Sequence, residues 1–458
     1  MTAVIDKTLQ YIETNRDRFV ELLYDFLRIP SISTDASKAE AMRQAAGWVR
    51  QRLLDCDVQA EIVETPGHPV VLADTGPADG AATVLVYGHY DVQPVGDESL
   101  WDSPAFEPTL RDEVVYARGA ADDKGQVLTH LLSTEAWMKT AGKLPLRLKF
   151  LIEGEEEIGS PNLGALVESH RERLACDYVV ISDTAKFSTD TPAITYGTKG
   201  MVYKEIIVTG PKTDLHSGSF GGTVDNPANV LARIVAGLKD ADQRVTIPGF
   251  YNDVQSISPQ EQAAIDALPF DENDYLQSTG SPALSGEAGF TTLQRRWTRP
   301  TLDVNGLYGG FMGQGSSTII PARVGAKVSM RIVPDQDPAA ISEAFDRAVQ
   351  ALTPPGVRVE VRELATAAPY VCPIDSPGMR AAIAAVEAGF NKRPVLIREG
   401  GTLPILPLFR SVLGAESLMM GLCVPNCNMH GPNEFFALDD FFCGLRSSAC
   451  FTHLLAGA

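Results

Sequence analysis

Two residues that do chemistry, His89 and Asp91, follow an apolar run over 84–88 in which no polar residue alternates. An imidazole with an acceptor this close is the pairing seen at metal sites, where the ring nitrogen facing away from the ion is held by a carboxylate or carbonyl. The pattern recurs. Residues 146–152 run directly into Glu153, Glu155, Glu156 and Glu157; residues 178–182 stop at Asp183; residues 114–117 lead to Asp122 and Asp123 at the entrance of a helical pattern; and residues 417–422 precede His430. Charged side chains are rarely buried unless paired or metal-bound, so carboxylates and imidazoles converging on one rim repel strongly without cations. Mixed imidazole and carboxylate donors without thiolate favour Zn²⁺, with Mn²⁺ or Co²⁺ as alternatives. Two ions about 3.5–4 Å apart, bridged by one carboxylate, need about five protein ligands and a shared water, which such ions acidify toward neutral pH. Glu156 beside Glu157 supplies one base and one ligand, because a carboxylate left free of the ions can carry a proton to a leaving group. Glu153 and Glu155 read as solvated loop charges. Cys423, Cys427 and His430 are close in sequence, but the fourth ligand of a zinc knuckle is missing.

The short aliphatic runs before these residues read as strands buried on both faces of a mostly parallel sheet. In such sheets ligands sit at the carboxyl ends of strands. Residues 1–199 alternate helices and strands in an α/β layout, with helices expected over 1–26 and 38–54. From about residue 200 the texture becomes α+β, with strands at 201–208, 326–332 and 357–364, helices at 226–238 and 339–352, and an irregular insertion at 245–304. The first texture resumes at 372–458. His430 is needed beside His89, so the chain must leave the first domain and return to it. The expected layout is thus a discontinuous catalytic domain, 1–199 with 372–458, and a second domain, 200–371.

The 458 residues exceed one compact core. With 39 basic and 58 acidic residues the formal charge is −19, which disfavours nucleic acid and anionic membranes as partners. Seven scattered cysteines without a C-x-x-C pair read as reduced thiols. The first 26 residues carry charges throughout and lack the apolar core of a signal peptide, and no run reaches membrane-span length. The expected location is the cytoplasm.

Several stretches together carry a family resemblance. They are His89-Tyr90-Asp91-Val92-Gln93-Pro94, Arg118-Gly119-Ala120-Ala121-Asp122-Asp123-Lys124-Gly125, Glu156-Glu157-Ile158-Gly159-Ser160 and Ser182-Asp183. These resemble the co-catalytic zinc peptidase family of aminoacylase, carboxypeptidase G and carnosinase. Asp214-Leu215-His216-Ser217-Gly218, Arg295-Arg296-Trp297, Met330-Arg331-Ile332-Val333-Pro334 and Arg398-Glu399-Gly400-Gly401-Thr402 resemble its cytosolic nonspecific dipeptidase branch. The resemblance implies a zinc-peptidase catalytic domain with a mixed, mostly parallel sheet between helices, and an inserted α+β lid through which a homodimer forms. It implies that His89 and Asp183 hold one zinc and Glu157 and His430 the other, with Asp122 bridging through a cis peptide to Asp123. It further implies Glu156 as general base and acid, Asp91 as the orienting partner of His89, His216 as the residue that stabilises the oxyanion in the neighbouring subunit, and Arg331 as the grip on the substrate carboxylate. Thr318, Gly401 and Thr402 match further substrate contacts. Tyr90, Glu155 and the neighbours of His430 depart from the family pattern and bear on substrate preference.

The leading expectation is therefore a two-zinc dipeptidase, and its closest rival an N-acyl-amino-acid amidohydrolase using the same site. A non-catalytic metal-binding protein is disfavoured by the intact Glu156. A two-metal phosphoesterase is disfavoured because no glycine-rich phosphate cradle or basic cluster stands beside the ligands.

Overall fold

The computed structural model describes residues 2–78 and 82–457. Met1 and Ala458, at the ends of the expected first domain, and residues 79–81 lie outside them. The chain divides into two units, Met1–Tyr196 with Cys372–Ile397 and Leu408–Ala458, and Gly197–Val371 with Arg398–Pro407.

The first unit is α/β around a mixed sheet. Its central strands are Arg147–Glu153, Thr83–His89, Tyr178–Ile181 and Glu416–Gly421, in that spatial order. All neighbouring pairs among the four are parallel. Antiparallel strands Val70–Asp74 and Ala193–Thr198 flank them. Parallel pairing is what makes the local motifs converge: His89 lies opposite Glu153 and Tyr87 opposite Ile181, so the residues that follow each strand leave from one edge. The Thr83–His89 strand is buried from Val84 onward, as expected of a strand covered on both faces.

The helix Lys124–Ala141 enters immediately after Asp122 and Asp123 and is buried on every side through Trp137. It comes so close to the sheet that a β-carbon at Gly88 would stand 2.2 Å from the Val127 side chain and 2.6 Å from the Asp123 carboxylate. Any larger residue before His89 would push the two ligand-bearing segments apart. Helices Pro377–Phe390 and Leu438–Ala456 pack on each other, and the latter also on Lys124–Ala141. The expected amino-terminal helix is two, Thr2–Thr14 and Arg16–Leu27, meeting at Asn15.

The second unit is α+β. A four-stranded antiparallel sheet runs in the order Thr301–Gly309, Arg323–Ile332, Gly200–Thr209, Arg358–Ala367. Helices Pro227–Gly237 and Pro338–Ala351 bury Val230, Ile234, Phe345 and Val349 against Val202, Ile206 and Val328. The alternating burial of Gly200–Thr209 is the period-two pattern of a strand with one apolar face. The 245–304 stretch is more regular than its proline, glycine and charge content suggested, since it holds helices Pro259–Asp266, Glu272–Thr279 and Thr292–Trp297. Each is short and begins with a side-chain cap, at Ser258, Asp271 and Thr291, so local capping supplies order where periodicity is weak. Residues 398–407, expected in the first domain, group with the second unit: Arg331 Nη1 donates to Thr402 Oγ1 at 2.6 Å and Arg398 pairs with Glu261 at 2.5 Å.

Candidate metal centre

At the carboxyl edge of the parallel strands, His89 closes its strand, the turn Glu156–Ile158 follows Arg147–Glu153, Asp183 lies two residues beyond Ile181, and His430 lies on the loop after Glu416–Gly421. Asp122, on the loop before the buried helix, sits between them. His89 Nε2 is 3.1 Å from Asp122 Oδ1 and 3.9 Å from Asp183 Oδ2. His430 Nε2 is 2.9 Å from Asp122 Oδ2 and 3.4 Å from Glu157 Oε2. Two donor groups result, His89 with Asp122 and Asp183, and Asp122 with Glu157 and His430, each with its ligand atoms within 4.8 Å of one another. Asp122 offers one oxygen to each. The peptide between Asp122 and Asp123 is cis.

The electrostatics mark these groups as short of positive charge. Burial pushes the carboxyls of Glu156, Glu157 and Asp183 up to about 7, with the charge of Asp122 adding to each. Burial disfavours a charged His89 as well, yet its contacts with Asp122 and Asp91 outweigh that and raise it well above the ordinary imidazole range. Asp122 is buried too, but its hydrogen bond with His430 and the nearby His89 ring hold it below the usual carboxylate range. His89 Nε2 and Glu157 Oε1 are buried without a hydrogen-bond partner. An orphaned atom in each donor group, beside carboxylates that repel one another, fits divalent cations, which satisfy the lone pairs and relieve the repulsion together. The residues present therefore suit a pair of ions.

Around the donors stands a ring of support. His89 Nδ1 lies 3.1 Å from the Asp91 carbonyl and 3.3 Å from its carboxylate, so main chain and side chain of Asp91 both face the ring. Asp91 Oδ2 also accepts the Glu157 amide at 3.1 Å, and Gln93 Nε2 donates to Glu157 Oε2 at 2.7 Å. Among the described residues the Glu156 carboxylate takes part in neither donor group.

Sequence reasoning missed several of the positioning residues. Glu153 and Glu155 are buried rather than solvated. Glu153 accepts from Tyr87 at 2.7 Å and Ser160 at 2.9 Å, and Glu155 from Asn162 at 2.9 and 3.0 Å and from the His68 amide at 2.9 Å. A run of glutamates resembles a solvated loop until the hydroxyl, amide and backbone partners are located elsewhere in the chain. Glu434 was also missed. Its buried carboxylate accepts from Arg118 at 2.8 Å and from the amides of Gly119, Ala121 and Asp122 at 2.9, 2.8 and 3.0 Å. It thus fastens the loop carrying Asp122 to the segment carrying His430. Replacing it by Gln leaves Arg118, only 1 % exposed, without its counter-charge. Glu434→Gln should lower stability by about 3–5 kcal/mol, the usual cost of breaking a buried pair, read as a fall in the urea midpoint. An unchanged midpoint would show that the contact positions nothing.

In the second unit, His216 is exposed and its Nδ1 accepts the amides of Gly218 and Ser219 at 3.0 and 3.2 Å, so the ring proton resides on Nε2. Thr318 lies next to the short pairing of His216 with Ile319. Arg331 is half-buried and held by Thr402, with Gly401 beside it in the chain.

Comparison with known proteins agrees with this geometry. Residues 85–453 match the model of peptidase family M20/M25/M40. The chain is 30 % identical to the Cys-Gly metallodipeptidase of Schizosaccharomyces pombe, covering all of this chain and 99 % of the relative. It is also 30 % identical to the Beta-Ala-His dipeptidase of Homo sapiens, covering 98 % and 92 %. Among solved structures, an M20 family metallo-carboxypeptidase from Sulfolobus solfataricus superposes with a TM-score of 0.85 at 32 % identity over 96 % of this chain and 99 % of that one. Human carnosine dipeptidase 1 superposes with a TM-score of 0.83 at 29 % identity over 99 % of both. The donor groups at the sheet edge and a family match over most of the length lead to one conclusion: the chain belongs to peptidase family M20/M25/M40.

Proposed function

We propose that this protein is a metal-dependent dipeptidase, hydrolysing the amide bond of small substrates whose product side bears a free carboxylate. The observation that carries the reading is the pair of donor groups sharing Asp122, with an uncommitted glutamate next to Glu157. His89 and Asp183 would hold one divalent ion, Glu157 and His430 the other, and Asp122 both; zinc suits the donors best, with manganese or cobalt as alternatives. Bound there, such ions supply the charge that polarises a carbonyl and favours a hydrolytic water.

The chain's own residues do the rest. Glu156, raised by burial, is suited to take a proton from water and return it to the leaving nitrogen. Asp91 holds His89 in the tautomer that leaves Nε2 free to ligate. His216, with its proton on Nε2, is a hydrogen-bond donor of the kind an oxyanion requires. Arg331 would grip the substrate carboxylate, with Thr318, Gly401 and Thr402 as further contacts. The names of the relatives, a Cys-Gly and a Beta-Ala-His dipeptidase, support the substrate class.

The second unit is read as a lid and dimerisation module. The exposed apolar side chains Leu307, Phe311 and Met312 suit an interface between copies. No described helix is long and apolar enough to cross a membrane, and the charge of −19 disfavours nucleic acid; a cytoplasmic homodimer is the proposed working form.

The rival is an N-acyl-amino-acid amidohydrolase. On zinc- or manganese-loaded enzyme, Ala-Ala should be cleaved at least about 10-fold faster than N-acetyl-Ala-Ala at its peptide bond, the scale of one charged contact to the free amine. Faster turnover of the acetylated substrate would replace the dipeptidase reading by the amidohydrolase one.

A further inference from the structure

The second unit contains a cavity of ≈ 350 Å³ whose wall is strongly basic. Lys199, Lys239, Arg295, Arg296, Arg299 and Arg331 face it, against two carboxylates, Glu287 and Asp303. In a chain of charge −19 this is a local inversion of sign. Part of the positive charge is already matched. Arg299 donates twice to Glu287, at 2.8 and 2.7 Å, Arg244 reaches the same carboxylate at 3.3 Å, and Lys239 lies 3.8 Å from Asp303.

Lys199 and Arg331 are not matched. The Lys199 side chain is buried, and its ammonium donates to the Arg295 carbonyl at 2.8 Å but has no carboxylate within 4.0 Å among the described residues. Arg331 is held by the neutral Thr402 hydroxyl. Arg296 has only Glu399, at 3.9 Å. The fold forces these cations together: Ile332 pairs with Gly200 and Arg331 with Met201, so Lys199, the residue just before the Gly200–Thr209 strand, and Arg331 on the neighbouring strand both line the cavity. The 400 backbone closes in behind, since a β-carbon at Gly400 would stand 3.0 Å from the Arg296 carbonyl. Burial, with the charge of Arg331 adding to it, pulls the Lys199 ammonium down to about 7. A buried ammonium without a counter-ion is costly, and an anion placed beside it removes that cost.

We infer that this cavity receives a second carboxylate, so that the preferred substrates are dipeptides whose C-terminal residue is Asp or Glu. The inference rests on the dipeptidase reading, with Arg331 taking the α-carboxylate; Lys199 and Arg296 then take the side-chain carboxylate. A Gln side chain is nearly isosteric but brings no charge to pair with the ammonium.

The test compares kcat/KM for Ala-Glu, Ala-Gln and Ala-Ala on the metal-loaded full chain. Ala-Glu should exceed Ala-Gln by about 10-fold or more, the scale of a charge-assisted contact. Lys199→Met should bring the Glu-to-Gln ratio close to one, mainly through KM, while Lys199→Arg keeps most of it. Because Lys199 is buried, Arg296→Met, at a half-exposed site, serves as the second variant and should reduce the ratio in the same sense. Cleavage of Ala-Ala and Ala-Gln with no advantage for Ala-Glu would overturn this inference and leave the dipeptidase reading standing. An undiminished ratio in both Met variants would overturn it as well. If no dipeptide is cleaved, the dipeptidase reading fails and the acidic subsite falls with it.

Discussion

Glu156→Gln should lower kcat by about 10²- to 10⁴-fold, the range for removing a general acid–base group, with KM and bound metal nearly unchanged. Glu156 belongs to neither donor group, so its amide variant keeps every ligand atom while losing the group that accepts a proton. The neighbouring substitution separates the roles. Glu157→Gln removes a carboxylate oxygen that lies 3.4 Å from His430, and should cost metal at that position along with activity. Metal analysis beside steady-state kinetics distinguishes the two variants. If Glu156→Gln turns over normally, the proton carrier is another group; if it loses metal, Glu156 is a ligand.

Stripping the metals should invert the usual acid sensitivity of the protein. Glu153, Glu156, Glu157 and Asp183 are each held at about 7 by burial, above their unfolded values near 4. A carboxyl raised in the folded state contributes stability that is complete below its unfolded value and is lost as pH climbs through the folded one. His430, raised to about 9 by its hydrogen bond with Asp122, acts in the same sense: its contribution is complete below about 6.5 and disappears toward 9. Asp122 is shifted the other way, and its contribution is lost only in acid, outside this window. The metal-free protein should therefore lose stability steadily between pH 5 and pH 9, about 3 kcal/mol of it from Asp183 taken alone. The coupled groups share protons, so the whole is less than the sum of the parts. Divalent ions reverse the trend because they take the place of those protons, and their binding strengthens as pH rises. Thermal denaturation in excess chelator should give a Tm higher at pH 6 than at pH 8, with a smaller difference in Asp183→Asn. A metal-free Tm that is equal or higher at pH 8 would mean that the carboxyls are not held protonated by the fold.

Both predictions depend on groups that were legible in the sequence to different degrees. His89, Asp122, Asp183 and His430 are nameable because each follows a short apolar strand or opens a helix, a signature confined to neighbouring residues, whereas only the family resemblance singles out Glu157 from Glu156. The α/β and α+β textures were legible for the same reason, as period-two and helical patterns are local. The helices within 245–304 were less so, because their order comes from capping side chains rather than from an apolar stripe.

What the sequence determined by itself was which side chains arrive at the strand ends, since that is written in the residues next to them. Only the tertiary structure decided how Asp122 divides its two oxygens, that Glu153 and Glu155 are buried, that Glu434 ties one ligand loop to another, and that Lys199, Arg296 and Arg331 share one cavity. The reason is physical. Whether a charge is solvated, protonated or paired depends on partners brought near by strand pairing, such as Arg118 and Glu434, which lie hundreds of residues apart along the chain and 2.8 Å apart in the fold, and no periodicity in the sequence records such a separation.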